Sequence, residues 1–168
     1  LAEAGFRLDQ VREAVEERVA VMRRPNLDVG QVIQRFCPEW DEPFDPERHI
    51  KATADLSGPG IDVFRELAEL AGRDLVLERI PLAHPELVRW ASRNFLLPNG
   101  TAGTNGALAV VAAPAVVERV AAELEALGHR PRIIGRVGGE GGRLTVPPEA
   151  REYIADWPEA YRIVEPAR

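Results

Sequence analysis

The chain has 168 residues, 45% of them hydrophobic and 29% charged, a balance that suits an ordinary folded domain and excludes wholesale disorder. Its net charge of −6 argues against a protein that grips nucleic-acid phosphates, although backbone amides can still hold a small anion. A single cysteine, Cys37, excludes an internal disulfide framework and a cysteine-based zinc site, and no apolar run reaches the roughly 20 residues of a membrane-spanning helix.

The first predicted element is an amphipathic helix over residues 8–22. Leu8, Val11, Val15, Val19 and Met22 recur at three- and four-residue steps, charged residues fill the other faces, and Pro25 ends the pattern. Residues 28–36 suit a second short helix. From Pro38 to His49 the prolines predict an irregular connector, whose acidic positions between Glu39 and Asp45 read as a solvated face.

A short strand is expected within residues 50–56, then a Ser57-Gly58-Pro59-Gly60 turn. A helix follows, with Ile61, Phe64, Leu67, Ala68 and Ala71 as its inner stripe and Gly72 as its C-cap. Residues 75–80 alternate as a strand, 85–91 suit a short helix, and 97–106 are turn chemistry throughout. Next come an apolar strand over 107–112, a helix over 115–127 with Val116, Val120, Leu124 and Leu127 inward, a Gly128 cap and a strand over 132–137. Gly138 to Gly142 read as a hairpin turn before a strand over 143–146, and 148–156 as a last helix with a loose end. The order predicts an α/β (α+β) fold: a mixed sheet with helices packed on it, its β-α-β pieces sharing one sheet. The expected domains are a helix and connector over 1–49, an α/β domain over 50–147, and a helix and tail over 148–168.

The most informative segment for chemistry is Thr53 to Asp62. A strand runs into a Gly-rich turn that opens a helix, which would aim amides and the positive helix end at one spot. There Ser57, Gly58 and Gly60 would face a phosphate, and Asp55 would hold a divalent cation bridging phosphate oxygens. The same residues also read as a tight turn with Ser57 or Asp62 capping the helix. Pro59 removes one amide donor, and the motif is neither a Walker A loop nor a dinucleotide fingerprint. Thr104, Asn105 and Gly106 offer hydrogen bonds to a ligand or close a turn. The histidines are dispersed. His129 is expected to complement the negative end of its helix, and Cys37 has no base at readable spacing.

Three stretches together resemble a known group. They are ATADLSGPGIDVFRELAELAG, LERIPLAHPELVRWA and TNGALAVVAAPAVVERVAAELEALGHRPRIIGRV. Residues 52–137 are similar to the C-terminal domain of the aminoimidazole ribonucleotide synthetase (PurM-like) superfamily, closest in motif to its selenophosphate synthetase and hydrogenase-maturation members.

The resemblance implies a sheet packed against helices and an ATP-dependent enzyme that phosphorylates or activates a small substrate. It implies magnesium and ATP as cofactors, with Asp55 at the metal and Gly58 and Gly60 near the phosphates. Nothing in residues 1–49 resembles the N-terminal nucleotide-binding domain of such enzymes. The chain is therefore expected to be inert alone and to need that domain or a partner chain. The alternative is a non-catalytic ligand-binding or regulatory module of the same fold, and a third reading, from the β-α-β of 107–137, is a ferredoxin-like effector-binding domain. Self-association through an uncovered apolar face is expected, as a homo-oligomer. The location expected is cytoplasmic, with neither nucleic acid nor membrane as partner, and the start at Leu1 rather than Met suggests a piece of something longer.

Overall fold

Proline and glycine punctuate the chain much as the sequence suggests, but the strands assemble differently. The computed structural model describes residues 5–94, 96–103, 106–155, 157, 159 and 161–163. Helix α1 (Leu8–Arg23) and α2 (Leu27–Arg35) are separated at Pro25, whose ring and missing N–H no helix interior accepts. An irregular connector leads to β1 (Ala52–Asp55), then α3 (Asp62–Ala71), β2 (Arg73–Leu77), α4 (Pro85–Arg93) and β3 (Leu108–Val111). The remaining elements are α5 (Pro114–Ala126), β4 (Gly135–Glu140), β5 (Leu144–Val146), α6 (Ala150–Tyr153) and β6 (Arg162–Ile163). No helix among the described residues is long and apolar enough to cross a membrane.

The chain is thus mixed α/β, as read, but with two sheets. In one, β1 lies antiparallel to β3, with Ala52 opposite Val111 and Asp55 opposite Leu108. The other has the order β4-β2-β5-β6, antiparallel between β4 and β2 and parallel across the rest. The strands flanking α5, β3 and β4, therefore belong to different sheets. This corrects both the single shared sheet and the β-α-β unit read over 107–137.

The Gly-rich run explains the misreading. Gly138, Gly139 and Glu140 lie inside β4 rather than in a hairpin turn, and β4 does not pair with β5 because β2 runs between them. Gly135 and Gly138, unlike Gly139, mark close approach of β2. A Cβ on Gly135 would overlap the Val76 carbonyl, and one on Gly138 would come within 3.3 Å of the Asp74 Cβ. The strand consequently starts three residues later than the apolar pattern Arg132–Val137 indicates. β2 likewise begins at Arg73, immediately after the left-handed Gly72 (φ 60°) that ends α3.

Two apolar cores hold these layers. The larger joins Val63, Phe64 and Ala68 of α3 to Leu75 and Leu77 of β2, Leu144 and Val146 of β5, and Tyr153, Ile154 and Tyr161. Fully buried side chains such as Leu144 and Val146 each stabilise the fold by about 1.5–3 kcal/mol. In the smaller core, Val32 of α2 and Phe36 just past its end pack with Ile50, Ala113, Val116, Val120 and Leu124. Thus α2, read as part of an N-terminal extension, shares a core with α5.

Several positions depart from the sequence reading. Leu127 and Ala71 are exposed rather than inward, lying at helix ends beyond the packed turns. The last helix is only Ala150–Tyr153, and Asp156 lies outside the described residues. It stops because the next backbone groups are taken by the 98–100 segment: Ala155 N–H donates to Pro98 O at 2.7 Å and Gly100 N–H to Tyr153 O at 2.7 Å. His129 completes the end of α5 through its backbone N–H, which donates to Leu124 O at 3.0 Å, and not through its ring. Arg24 reaches the Leu127 carbonyl at 2.9 Å, and His129 Nε2 meets Asp28 Oδ2 at 2.9 Å.

Candidate functional site

Pairing of β1 with β3 brings the two loops singled out by sequence to the same end of that small sheet, where Leu56 N–H donates to Ala107 O at 3.0 Å. Ser57 N–H donates to Asp55 Oδ1 at 2.9 Å, and Gly106 N–H to Ser57 Oγ at 3.3 Å. Asp55, Ser57 and Gly106 are therefore neighbours. Thr104 and Asn105 lie outside the described residues. The Ser57 N–H and then the Ser57 hydroxyl hold the exposed Asp55 carboxyl below its usual range, so it is an anion at neutral pH.

The loop's amides, however, are largely occupied by the protein itself. Gly60 N–H donates to Leu56 O at 2.9 Å, and Ile61 N–H to Thr101 Oγ1 at 3.1 Å. Asp62 N–H donates to Pro59 O at 3.3 Å and Val63 N–H to Gly60 O at 3.4 Å. Thr101, 2% exposed, is held in turn by Asn99 Oδ1, which accepts from its amide at 2.9 Å and its hydroxyl at 2.6 Å. The helix is thus started by a hydroxyl from the 97–106 loop, not by Ser57 or Asp62. Gly60 is required at φ +62° because a Cβ would lie 2.5 Å from the Thr101 carbonyl carbon, so its space is filled by protein.

Asp62 serves a different network. Arg65 grips it through two hydrogen bonds, at 3.0 and 2.9 Å, and Tyr161 OH donates to Asp62 Oδ1 at 2.8 Å. The Arg65 bonds outweigh partial burial and hold the Asp62 carboxyl below its usual range. Burial first, then the Asp62 carboxylate, pushes the Tyr161 phenol well up.

Among the described residues no three His, Cys, Asp or Glu side chains are grouped to hold a metal ion. Asp55 supplies one carboxylate, and most of the amides that would face phosphate are already bonded. Magnesium wants about six oxygen ligands, so the rest would have to come from phosphate, water and another protein surface.

A second site was missed by sequence reasoning. The end of α2, the connector and α5 border an open polar cleft of about 440 Å³ lined by Arg35, Cys37, Glu42, Arg48, His49 and Arg119, among others. His49 sits at its edge, only 4% exposed. Its Nδ1 lies 2.9 Å from the Asp45 amide, which can only donate, so the neutral ring must carry its proton on Nε2. That Nε2 is 3.5 Å from Glu42 Oε1, beyond ordinary hydrogen-bond length, which leaves a buried donor underused.

The acidic connector is thus not simply a solvated face. Asp45 fixes the His49 ring, and Glu42 stands between His49 and Arg48, 3.4 Å from the latter. Arg119 stacks over the Phe36 ring at 4.9 Å and makes no ion pair among the described residues. Arg35 is tied to Glu123. The signal that could have revealed this site is Arg35, Arg48 and Arg119 clustering around a proline-rich loop, but their proximity depends on α2 packing against α5. Arg119, with the His49 N–H beside it, suits an anion that would compete with Glu123 and Glu42 for Arg35 and Arg48, and Glu39 and Glu42 suit a ligand that also carries hydroxyl or ammonium donors.

Against known proteins, the chain matches no family model, no curated protein and no solved structure at a significant level. The resemblance to the aminoimidazole ribonucleotide synthetase superfamily rests on its three motifs alone.

Proposed function

We propose that the chain is a non-catalytic module that binds a small anionic metabolite in the cleft between α2, the connector and α5. The observation carrying this reading is convergence: Arg35, Arg48 and Arg119, from three segments, meet at one cleft with the underused Nε2–H of buried His49. A carboxylate or phosphate there would gain charge-assisted hydrogen bonds, which are roughly twice as strong as neutral ones, although Arg35 and Arg48 are solvent-exposed.

The runner-up is the C-terminal half of an ATP-dependent enzyme, acting on a small-molecule substrate with a nucleotide-binding domain supplied from elsewhere. It is favoured by ionised, exposed Asp55 beside Gly58 and Gly106. The occupied amides of the loop weigh against phosphate binding by this chain alone.

One calorimetric series separates the two. The purified chain is titrated with inorganic phosphate, citrate and magnesium-ATP, alongside Arg119→Gln and Asp55→Ala. The pocket reading expects an anion to bind and its affinity to fall at least tenfold in Arg119→Gln, with Asp55→Ala unchanged. Binding of magnesium-ATP that is lost only in Asp55→Ala would favour the enzyme half. Absence of heat with every anion would overturn the pocket reading.

A further inference from the structure

The chain's one thiol stands in the arginine cleft. Helix α2 ends at Arg35, Phe36 joins the smaller core, and Cys37 follows, exposed, with Pro38 keeping the chain from continuing as helix. Ile50 N–H donates to Phe36 O at 2.8 Å, which lays His49 and Ile50 alongside Phe36 and Cys37. Arg119 of α5 lies over the Phe36 ring at 4.9 Å. One backbone bond and one cation–π contact thus bring Cys37, His49 and Arg119 to the border of the same cleft.

Exposure alone gives a thiol no preference among reagents. His49 supplies one. It is 4% exposed, its Nδ1 accepts from the Asp45 amide, and its Nε2 makes no hydrogen bond among the described residues, lying 3.5 Å from Glu42. A buried N–H left in this state costs free energy until a ligand accepts from it. It borders the cleft together with Arg119, whose guanidinium has no carboxylate partner among the described residues.

We propose that Cys37 exchanges with small disulfides that bear carboxylates, the carboxylate being held by Arg119 and the His49 Nε2–H. The inference rests on the anion-cleft reading and adds a covalent step to it. The Cys37 thiol gives its proton to solvent, and its sulfur attacks one sulfur of the bound disulfide. The S–S bond of that disulfide breaks, a bond forms from Cys37 Sγ to the attacked sulfur, and the other half leaves as a thiolate that takes up a proton. Cys37 is oxidised and the departing thiol is reduced by the same electron pair. No other cysteine occurs among the 168 residues, so no second thiol of the chain displaces the adduct, which persists until an outside thiol removes it. While attached, it keeps its carboxylate where a free anion would bind. Selectivity rather than speed is expected, because Glu39 and Glu42 share the cleft and temper its positive charge.

The test follows adduct formation on the intact chain by mass spectrometry, in the wild type, Arg119→Gln and Arg119→Lys. The reagents are dithiodipropionate, with carboxylate ends, cystamine, with ammonium ends, and hydroxyethyl disulfide, with neutral ones. The ratio of variant to wild-type rate cancels the intrinsic reactivity of each reagent. Arg119→Gln should slow dithiodipropionate roughly tenfold, as loss of one charge-assisted bond does, leave hydroxyethyl disulfide unchanged and speed cystamine. Arg119→Lys, which keeps the charge, should fall between. Damage to the fold would move all the rates in one direction and so is told apart. A dithiodipropionate rate indifferent to Arg119→Gln, or equal slowing of every reagent, would overturn the proposal. Citrate titration of the same preparations separates it from the cleft reading. Citrate bound through Arg119 beside an unselective thiol would overturn the exchange proposal alone, whereas neither citrate binding nor selectivity would overturn both.

Discussion

Replacing Thr101 with valine exchanges a hydroxyl for a methyl of nearly the same size at a position only 2% exposed, so no cavity opens. What is lost is the acceptor for the Ile61 N–H, bonded at 3.1 Å at the start of α3, and the donor to Asn99 Oδ1 at 2.6 Å. Asn99 keeps the Thr101 amide at 2.9 Å, so its oxygen stays satisfied. Ile61 is 4% exposed, and its stranded amide has no access to water. An unsatisfied buried donor costs about 1–3 kcal/mol, so a loss of about 2 kcal/mol is expected. For a chain of this length, that lowers the melting temperature by roughly 4–8 °C. Urea unfolding of wild type, Thr101→Val and Thr101→Ser is the assay. Serine keeps the hydroxyl and loses one methyl, so it should be the more stable variant, with unchanged dependence on denaturant. If valine equals or exceeds serine, the hydroxyl is not what starts α3, and the account of an internally satisfied loop fails.

Other expectations follow from the same geometry. Gly135→Ala should destabilise by about 3 kcal/mol or more, because its Cβ would press on the Val76 carbonyl across the β2–β4 ladder; equilibrium unfolding would measure it. Asp62→Asn should cost about 1 kcal/mol near neutral pH through loss of the charge on the Arg65 and Tyr161 bonds, as measured by the same unfolding. The sign with pH is set by the lowered Asp62 carboxyl: its contribution is full above the unfolded value near 3.9 and fades as pH falls through the lower folded one. The wild type and Asp62→Asn should therefore converge in stability in acid, and a constant gap down to pH about 2 would contradict this.

The sequence by itself was enough for the punctuation of the chain. Pro25, Pro85 and Pro114 mark helix boundaries, Gly72 ends α3 in the left-handed conformation, and Val116, Val120 and Leu124 face inward from α5. These features depend on neighbours in sequence, through backbone stereochemistry and helical periodicity, and so can be read locally. The loop from Asp55 to Gly60 was found for the same reason, and its closeness to Gly106 followed once β1 paired with β3.

What required the tertiary structure was anything depending on distant neighbours. Gly138 looks like a turn residue, and Gly135 like an ordinary strand position, until β2 lies beside them and crowds the place of a Cβ. The amides of the loop look free until the Thr101 hydroxyl, forty residues away, takes one of them. His49, Arg48 and Arg119 look unrelated until α2 packs on α5 and sets them around one cleft. In α1, the apolar period gives the helix and its stripe, but not the direction the stripe faces. That was decided by Glu17 meeting His84 and Phe6 meeting Trp90, side-chain contacts that turn the polar face inward. Local stereochemistry travels with the sequence, whereas steric exclusion, shared hydrogen bonds and converging charge exist only between segments that folding has brought together.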